Sequence, residues 1–407
     1  VLPEGTGEPS IYLGEFSMKR LRPDYYEHFT CIAGACPITC CQEWKIAVDD
    51  DTARRWKKLA PPADVEEQKK NLNAYTIHKD GERVIGLTPE HKCPFLNSDK
   101  LCKLVCTYDD TVLSRTCQDF PREILKFRTH EEESLMAACP AVLDIWREQE
   151  TLSFPSPAPE DLTSEQARLL FRLRSASIRL LDLSHRAPEK NTPEQALLEL
   201  SYILQELNRT DTLDDVHITE YFSDSSRAQL RDAISNIDLP PLDTLDECNE
   251  LLQDLAVNYR KEGLYSGYQE PIIRLAEELS EGCDKEELLR DWDAFRQDFT
   301  VWRPLLFHYL ENELYSGFLL PGSDLTLTTL LLHLEWIVLT YAVIRHSLFL
   351  AWLQGGRQPL SYETVRSYIV ILNRMTGYNE EDIFEYLENS FEDPLWDWGY
   401  FALILGH

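Results

Sequence analysis

From residue 163 to the end of the chain, apolar side chains recur at helical spacing. Thr192-Pro193-Glu194-Gln195 has the form of a capping box with proline in the first helical turn. Leu197, Leu198, Leu200, Ile203 and Leu204 then fall on one face. Further helices are predicted over 243–260, 270–281, 285–300, 303–319, 325–353, 362–375 and 380–389. No repeat of fixed period runs through them. The pattern predicts an all-α domain over 163–407, with the long apolar helix 325–353 at its centre.

The first 150 residues read differently. Residues 1–22 form a predicted extended arm, and Pro23 suits the start of a short helix through Tyr25 and Tyr26. Trp44 to Val48 alternates apolar and polar, which predicts a short strand. Asp49 to Thr52 caps a helix over 53–59, and Lys79-Asp80-Gly81 marks a hairpin. Asn97 to Lys100 makes a tight turn between Cys93-Pro94-Phe95-Leu96 and Leu101-Cys102. A helix follows over 142–149. Residues 151–162 hold three prolines and read as a stiff linker. The expected architecture is mainly α: a small cysteine-rich module with short strands over 1–150, then the all-α domain.

Composition narrows the class. With 43% hydrophobic and 27% charged residues in 407, the chain is globular. Residues 1–150 carry 20 basic and 26 acidic side chains, and residues 151–407 carry 20 and 44. Such an excess of acid argues against a nucleic-acid backbone as partner; it suits a basic or lysine-presenting protein, and plain solubility explains it equally well. No apolar run at the N-terminus resembles a signal peptide. His333, Glu335, Arg345 and His346 interrupt the apolar stretch 325–353, which therefore reads as a core helix, not a membrane span. The expected location is the cytoplasm.

The cysteines alter this picture most. Nine of eleven lie between Cys31 and Cys139, as Cys31-x4-Cys36-x3-Cys40-Cys41, then Cys93-x8-Cys102-x3-Cys106-x10-Cys117, then Cys139. An odd total cannot pair fully within one chain. Cys36, Cys93 and Cys139 each precede proline, as in ferredoxin runs. Clustered thiolates in a reducing compartment point to zinc or an iron–sulfur cluster. In an extended strand Cys40 and Cys41 would face opposite ways and serve different metals. His28, His78 and His91 read as solvent or core histidines. Arg115 and Arg122 flank Cys117, either balancing cluster charge or forming surface salt bridges. Trp396 and Trp398 read as core packing.

The run Phe29-Thr30-Cys31-Ile32 through Cys36, with Thr39-Cys40-Cys41 and Trp44, resembles the flagellin lysine N-methylase family. So do Cys93 to Leu96, Leu101-Cys102, Leu113-Ser114, Thr116-Cys117 to Phe120-Pro121-Arg122, and Ser134-Leu135 with Cys139-Pro140. Far downstream, Leu310-Glu311-Asn312 looks like the family's Leu-Glu-Asn-Tyr motif, with Glu313 where tyrosine is expected. The cysteine layout is also similar to a zinc- or iron-chelating domain family. Cys106 departs from the pattern and is left out of the ligand set.

The resemblance implies S-adenosylmethionine as methyl donor and flagellin lysines as acceptors, in a bacterial flagellum setting. It implies a metal held by Cys31, Cys36, Cys40, Cys41, Cys93, Cys102, Cys117 and Cys139, expected as a [4Fe-4S] cluster with zinc as the alternative. No Gly-x-Gly-x-x-Gly turn marks a Rossmann donor site, and the Cys-x3-Cys-x2-Cys radical signature is absent. A lysine with pKa about 10.4 needs a desolvating site with neutral acceptors to lose its proton. Tyr309, Asn312 and Tyr315 fit that role, and His308, Asn312 and Tyr315 share a helical face. The alternative is that Glu311 and Asn312 only join helices. Two other functions also remain open: a non-catalytic zinc- or iron-binding scaffold, and an electron-transfer protein.

Overall fold

The computed structural model describes residues 18–79, 81–187, 191–210, 212–237, 239–322, 324–377 and 379–406. The fold is mainly α, with short strands confined to the N-terminal part. Most of the predicted arm, residues 1–17, lies outside the described residues. So does Asp80 at the tip of the predicted hairpin, whose strands Thr76–Lys79 and Glu82–Ile85 pair in antiparallel register.

Two hydrophobic cores divide the chain unequally. The smaller gathers Ile46, Val48, Trp56, Leu72, Tyr75, Ile85, Cys93, Phe95, Leu104 and Val112. Asp49 caps its first helix, Asp50–Trp56, by accepting from the Thr52 amide. The larger core runs through all the long helices and takes in Tyr25, Ile38, Leu135, Cys139 and Trp146 from the N-terminal part. The proline-rich segment 151–162 is laid along this core: Leu152 is buried, and Phe154 packs against Tyr25 and Tyr315.

Helix boundaries follow the sequence closely where caps are explicit. Thr192 and Gln195 form the reciprocal capping box of helix Pro193–Arg209. Helix Leu327–Gln354 is, among the described residues, the one long and apolar enough to cross a membrane, and 78% of its most apolar window is buried. Its polar side chains are met from inside the protein. His333 reaches Glu380 at 3.0 Å, Glu335 accepts from the Trp396 amide at 2.9 Å, and Arg345 pairs with Glu194 at 3.2 Å.

Two local expectations change. Trp44–Val48 is not a strand. Within it only Ala47 forms an isolated bridge, to Val84; Gln42 bridges Lys92 just before it, and Glu43 between them takes a left-handed conformation (φ 55°) that breaks the pleat. Conversely, a three-stranded sheet forms that the polar sequence conceals. His130–Leu135 lies at its centre, parallel to Lys19–Leu21 and antiparallel to Arg122–Lys126. Its glutamates tolerate burial because arginines meet them: Glu132 takes two hydrogen bonds of 2.6 Å from Arg174, and Glu133 one of 2.9 Å from Arg22.

Candidate functional site: the cysteine loops and the central helix

All eleven cysteines are free thiols. Cys93 is buried in the small core, and Cys41, Cys102 and Cys117 pack against it. Cys139 begins helix Pro140–Glu148 on the side of the large core. Cys31 and Cys36 lie on the loop that approaches Cys139. The same loop presses against the Asn97–Lys100 turn: a Cβ on Gly34 would sit 2.6 Å from the Asp99 carbonyl, so only glycine fits. Cys40 stands at the junction, electrostatically felt by Cys36, Cys139, Cys93, Cys102 and Cys117 alike.

Cys40 and Cys41 do not splay apart as an extended strand requires. The chain turns there, and the Cys41 thiol donates to the Cys40 sulfur. That hydrogen bond is the main reason the Cys40 thiol is lowered to about 7; burial opposes it and Arg374 assists. Cys41, as the donor, is pushed up. Burial is the leading cause that raises Cys117 and Cys139, each to about 12, and it also raises Cys36, Cys93 and Cys102. Such thiols stay protonated unless a cation takes the proton's place. Sulfur donors of this kind could hold a soft metal.

The cation that serves these loops is Arg374, which the sequence reading missed. It projects from helix Tyr362–Met375 and is 3% exposed. Its guanidinium donates to the carbonyls of Ala138 (3.0 Å), Thr39 (3.2 Å) and Ile38 (2.9 Å), and lies 5.0 Å from the Trp44 ring centroid. One side chain therefore ties the Cys36–Cys41 loop to the Cys139 loop. Arg115 instead makes an exposed salt bridge to Asp119, and Arg122 stacks over Phe29. His28 and His78 are exposed.

The downstream motif lies on helix Arg303–Gly317, which packs against the sheet and several neighbouring helices and is buried nearly all round. Tyr309, Asn312 and Tyr315 are all buried, and each has an internal partner. The Tyr309 hydroxyl faces Asn373 at 3.5 Å, Asn312 accepts from Tyr25, and Tyr315 donates to the Leu21 carbonyl at 3.3 Å. The structure therefore joins two of them to the N-terminal part.

Two acids next to them were not singled out as site residues by the sequence. Glu313 sits one turn from Tyr309 and accepts from Asn312 at 3.4 Å. Glu123, from strand Arg122–Lys126, accepts from Ser134 at 3.3 Å. Burial, then mutual repulsion, raises Glu313 to about 8; burial raises Glu123 to about 7. Both keep part of their surface within reach of water although protein surrounds them. The available signal was the departure at Glu313 from the expected tyrosine. Glu123 and Arg374 had none, because their roles depend on segments far away in sequence.

No family model and no solved structure matches the chain. Three curated proteins do. Flagellar biosynthetic protein FliU of Salmonella muenchen is 30% identical over 131 residues, covering 30% of this chain and 72% of that protein. Lysine-N-methylases of Salmonella choleraesuis and Salmonella typhimurium are each 30% identical over 131 residues, covering 30% of this chain. That stretch is 30% of each methylase's own length. The likeness to FliU over most of its length, alongside the ordered cysteines, places this chain in the flagellin lysine N-methylase family.

Proposed function

We propose that the protein transfers methyl groups from S-adenosylmethionine to ε-amines of flagellin lysines, with an iron–sulfur cluster held by the N-terminal cysteines. The observation that carries the reading is the relation to two proteins named lysine-N-methylase. The acid pair Glu123 and Glu313 supplies its chemistry. A lysine arrives as an ammonium ion, and its lone pair is free only after a proton leaves. A desolvated carboxylate with raised pKa is a stronger base than an exposed one; Glu123, at about 7, is partly ionised at neutral pH and suited to accept that proton, while Glu313, at about 8, is mostly protonated and serves as a neutral neighbour. The amine then forms the N–C bond as the methyl–sulfur bond breaks. Tyr309, Asn312 and Tyr315 supply neutral walls that hold the acids in place. Cys31, Cys36, Cys40, Cys41, Cys93, Cys102, Cys117 and Cys139 are the proposed metal ligands. Four thiolates satisfy one cubane cluster or one zinc, so eight suffice for two sites.

The test uses anaerobically purified protein, labelled S-adenosylmethionine and flagellin from the same source. Mass spectrometry should find label on flagellin lysines. Glu123→Gln should cut the rate at least tenfold with little change in melting temperature. Absence of transfer by metal-loaded protein would overturn the proposal in favour of a metal-binding scaffold. The internal partners of Tyr309, Asn312 and Tyr315 favour that second reading. If these residues only join helices, Asn312→Ala and Tyr315→Phe will lower the melting temperature and leave activity per folded molecule intact.

A further inference from the structure

We propose that His185, His308 and Glu311 form a divalent-metal site inside the helical core, separate from the cysteines. His185 ends helix Glu165–His185, and His308 and Glu311 lie one turn apart on helix Arg303–Gly317. Their ligand atoms all fall within 4.8 Å of one another. The residues are 7%, 1% and 1% exposed. His185 Nδ1, His308 Nε2 and Glu311 Oε1 each lack a hydrogen-bond partner. Three buried atoms without hydrogen-bond partners gathered this closely are costly unless something sits between them; the attraction of His185 for Glu311 offsets only part of that. The separation of His185 Nδ1 from Glu311 Oε1, 3.7 Å, is too long for a hydrogen bond. It exceeds by a few tenths of an ångström the roughly 3.3 Å between ligands on a tetrahedral ion with bonds of about 2.0 Å.

The surroundings orient the set. His308 Nδ1 lies 3.0 Å from the Trp146 carbonyl, to which it donates. That bond fixes the tautomer and leaves Nε2 with the lone pair, as the outer partner of a metal-bound histidine does, while the Glu150 backbone also acts on this ring. The His185 ring stacks on Phe307 with centroids 5.3 Å apart and meets His308 edge-on at 4.7 Å. Two imidazoles and one carboxylate match the ligand sets of zinc and of non-haem ferrous iron. A bound ion would pin the end of one helix to the middle of another. This site does not rest on the methylase reading.

Zn2+ alone is the probe. Crystals of the full chain grown with Zn2+ and measured on both sides of the zinc edge should show an anomalous peak between the three ligand atoms. In equilibrium dialysis, Glu311→Gln and His185→Asn should each bind one Zn2+ fewer per chain than wild type. Cys117→Ser should retain that ion. No peak at this position in the wild-type map overturns the proposal, whether or not the variants fold. Zinc stoichiometry unchanged in the folded variants does the same.

Discussion

Replacing Arg374 tests whether one buried side chain couples the helical core to the cysteine loops. In Arg374→Met the three carbonyls of Ile38, Thr39 and Ala138 lose their donor. No charge is stranded, because all three acceptors are neutral. Each buried acceptor left unpaired costs about 1–3 kcal/mol, and shared relaxation brings the three together to roughly 3–5 kcal/mol. Arg374→Lys keeps the charge but lacks the planar fork, so an intermediate loss of about 2–4 kcal/mol is expected. Urea unfolding gives these values. The location of the damage is the sharper readout. Leu204→Ala, deep in the helical core, should cost a comparable 2–5 kcal/mol. Hydrogen exchange should then show faster amides over 36–41 and 138–142 in Arg374→Met but not in Leu204→Ala. A loss below about 1 kcal/mol, or equal exchange in both variants, would refute the clamp.

Glu335 has its pKa raised to about 9, chiefly by burial, against the hydrogen bond from the Trp396 amide. Its stabilising contribution is full below the unfolded value near 4.5 and is lost as pH rises toward 9. Glu335→Gln should therefore flatten the fall in stability between pH 5 and 8, by at most about 4 kcal/mol, in urea midpoints taken at both pH values. Asp49 is lowered to about 2: burial pushes it up, but bonds from the Arg115 amide and from the Thr52 amide and hydroxyl outweigh that. Its contribution holds above the unfolded value and fades as pH falls from about 4 to 2, so Asp49→Ala should cost about 1–2 kcal/mol at pH 7 and almost nothing at pH 2 by thermal melting. Cys117→Ser and Cys41→Ser should lower iron and sulfide content, while Cys106→Ser and Cys283→Ser, both at exposed positions, should leave it unchanged.

Local chemistry is what the sequence determined by itself. Thr192 to Gln195 and Asp49 to Thr52 cap helices with side chains only a few residues away, so their ends were legible. The apolar period marked the long helices, and the polar residues within 325–353 marked a helix that is mostly buried inside the protein. Cysteine order alone marked the loops on which the thiols gather. Tertiary structure decided everything that joins distant segments. The strand His130–Leu135 is too acidic to read as buried until Arg174 and Arg22 arrive from elsewhere. Cys40 and Cys41 face each other because a turn, not a strand, runs through them. Arg374 reaches the Ile38 carbonyl across 336 residues. These pairings satisfy buried polar groups whose partners are fixed only when the helices pack, so no window along the chain contains them.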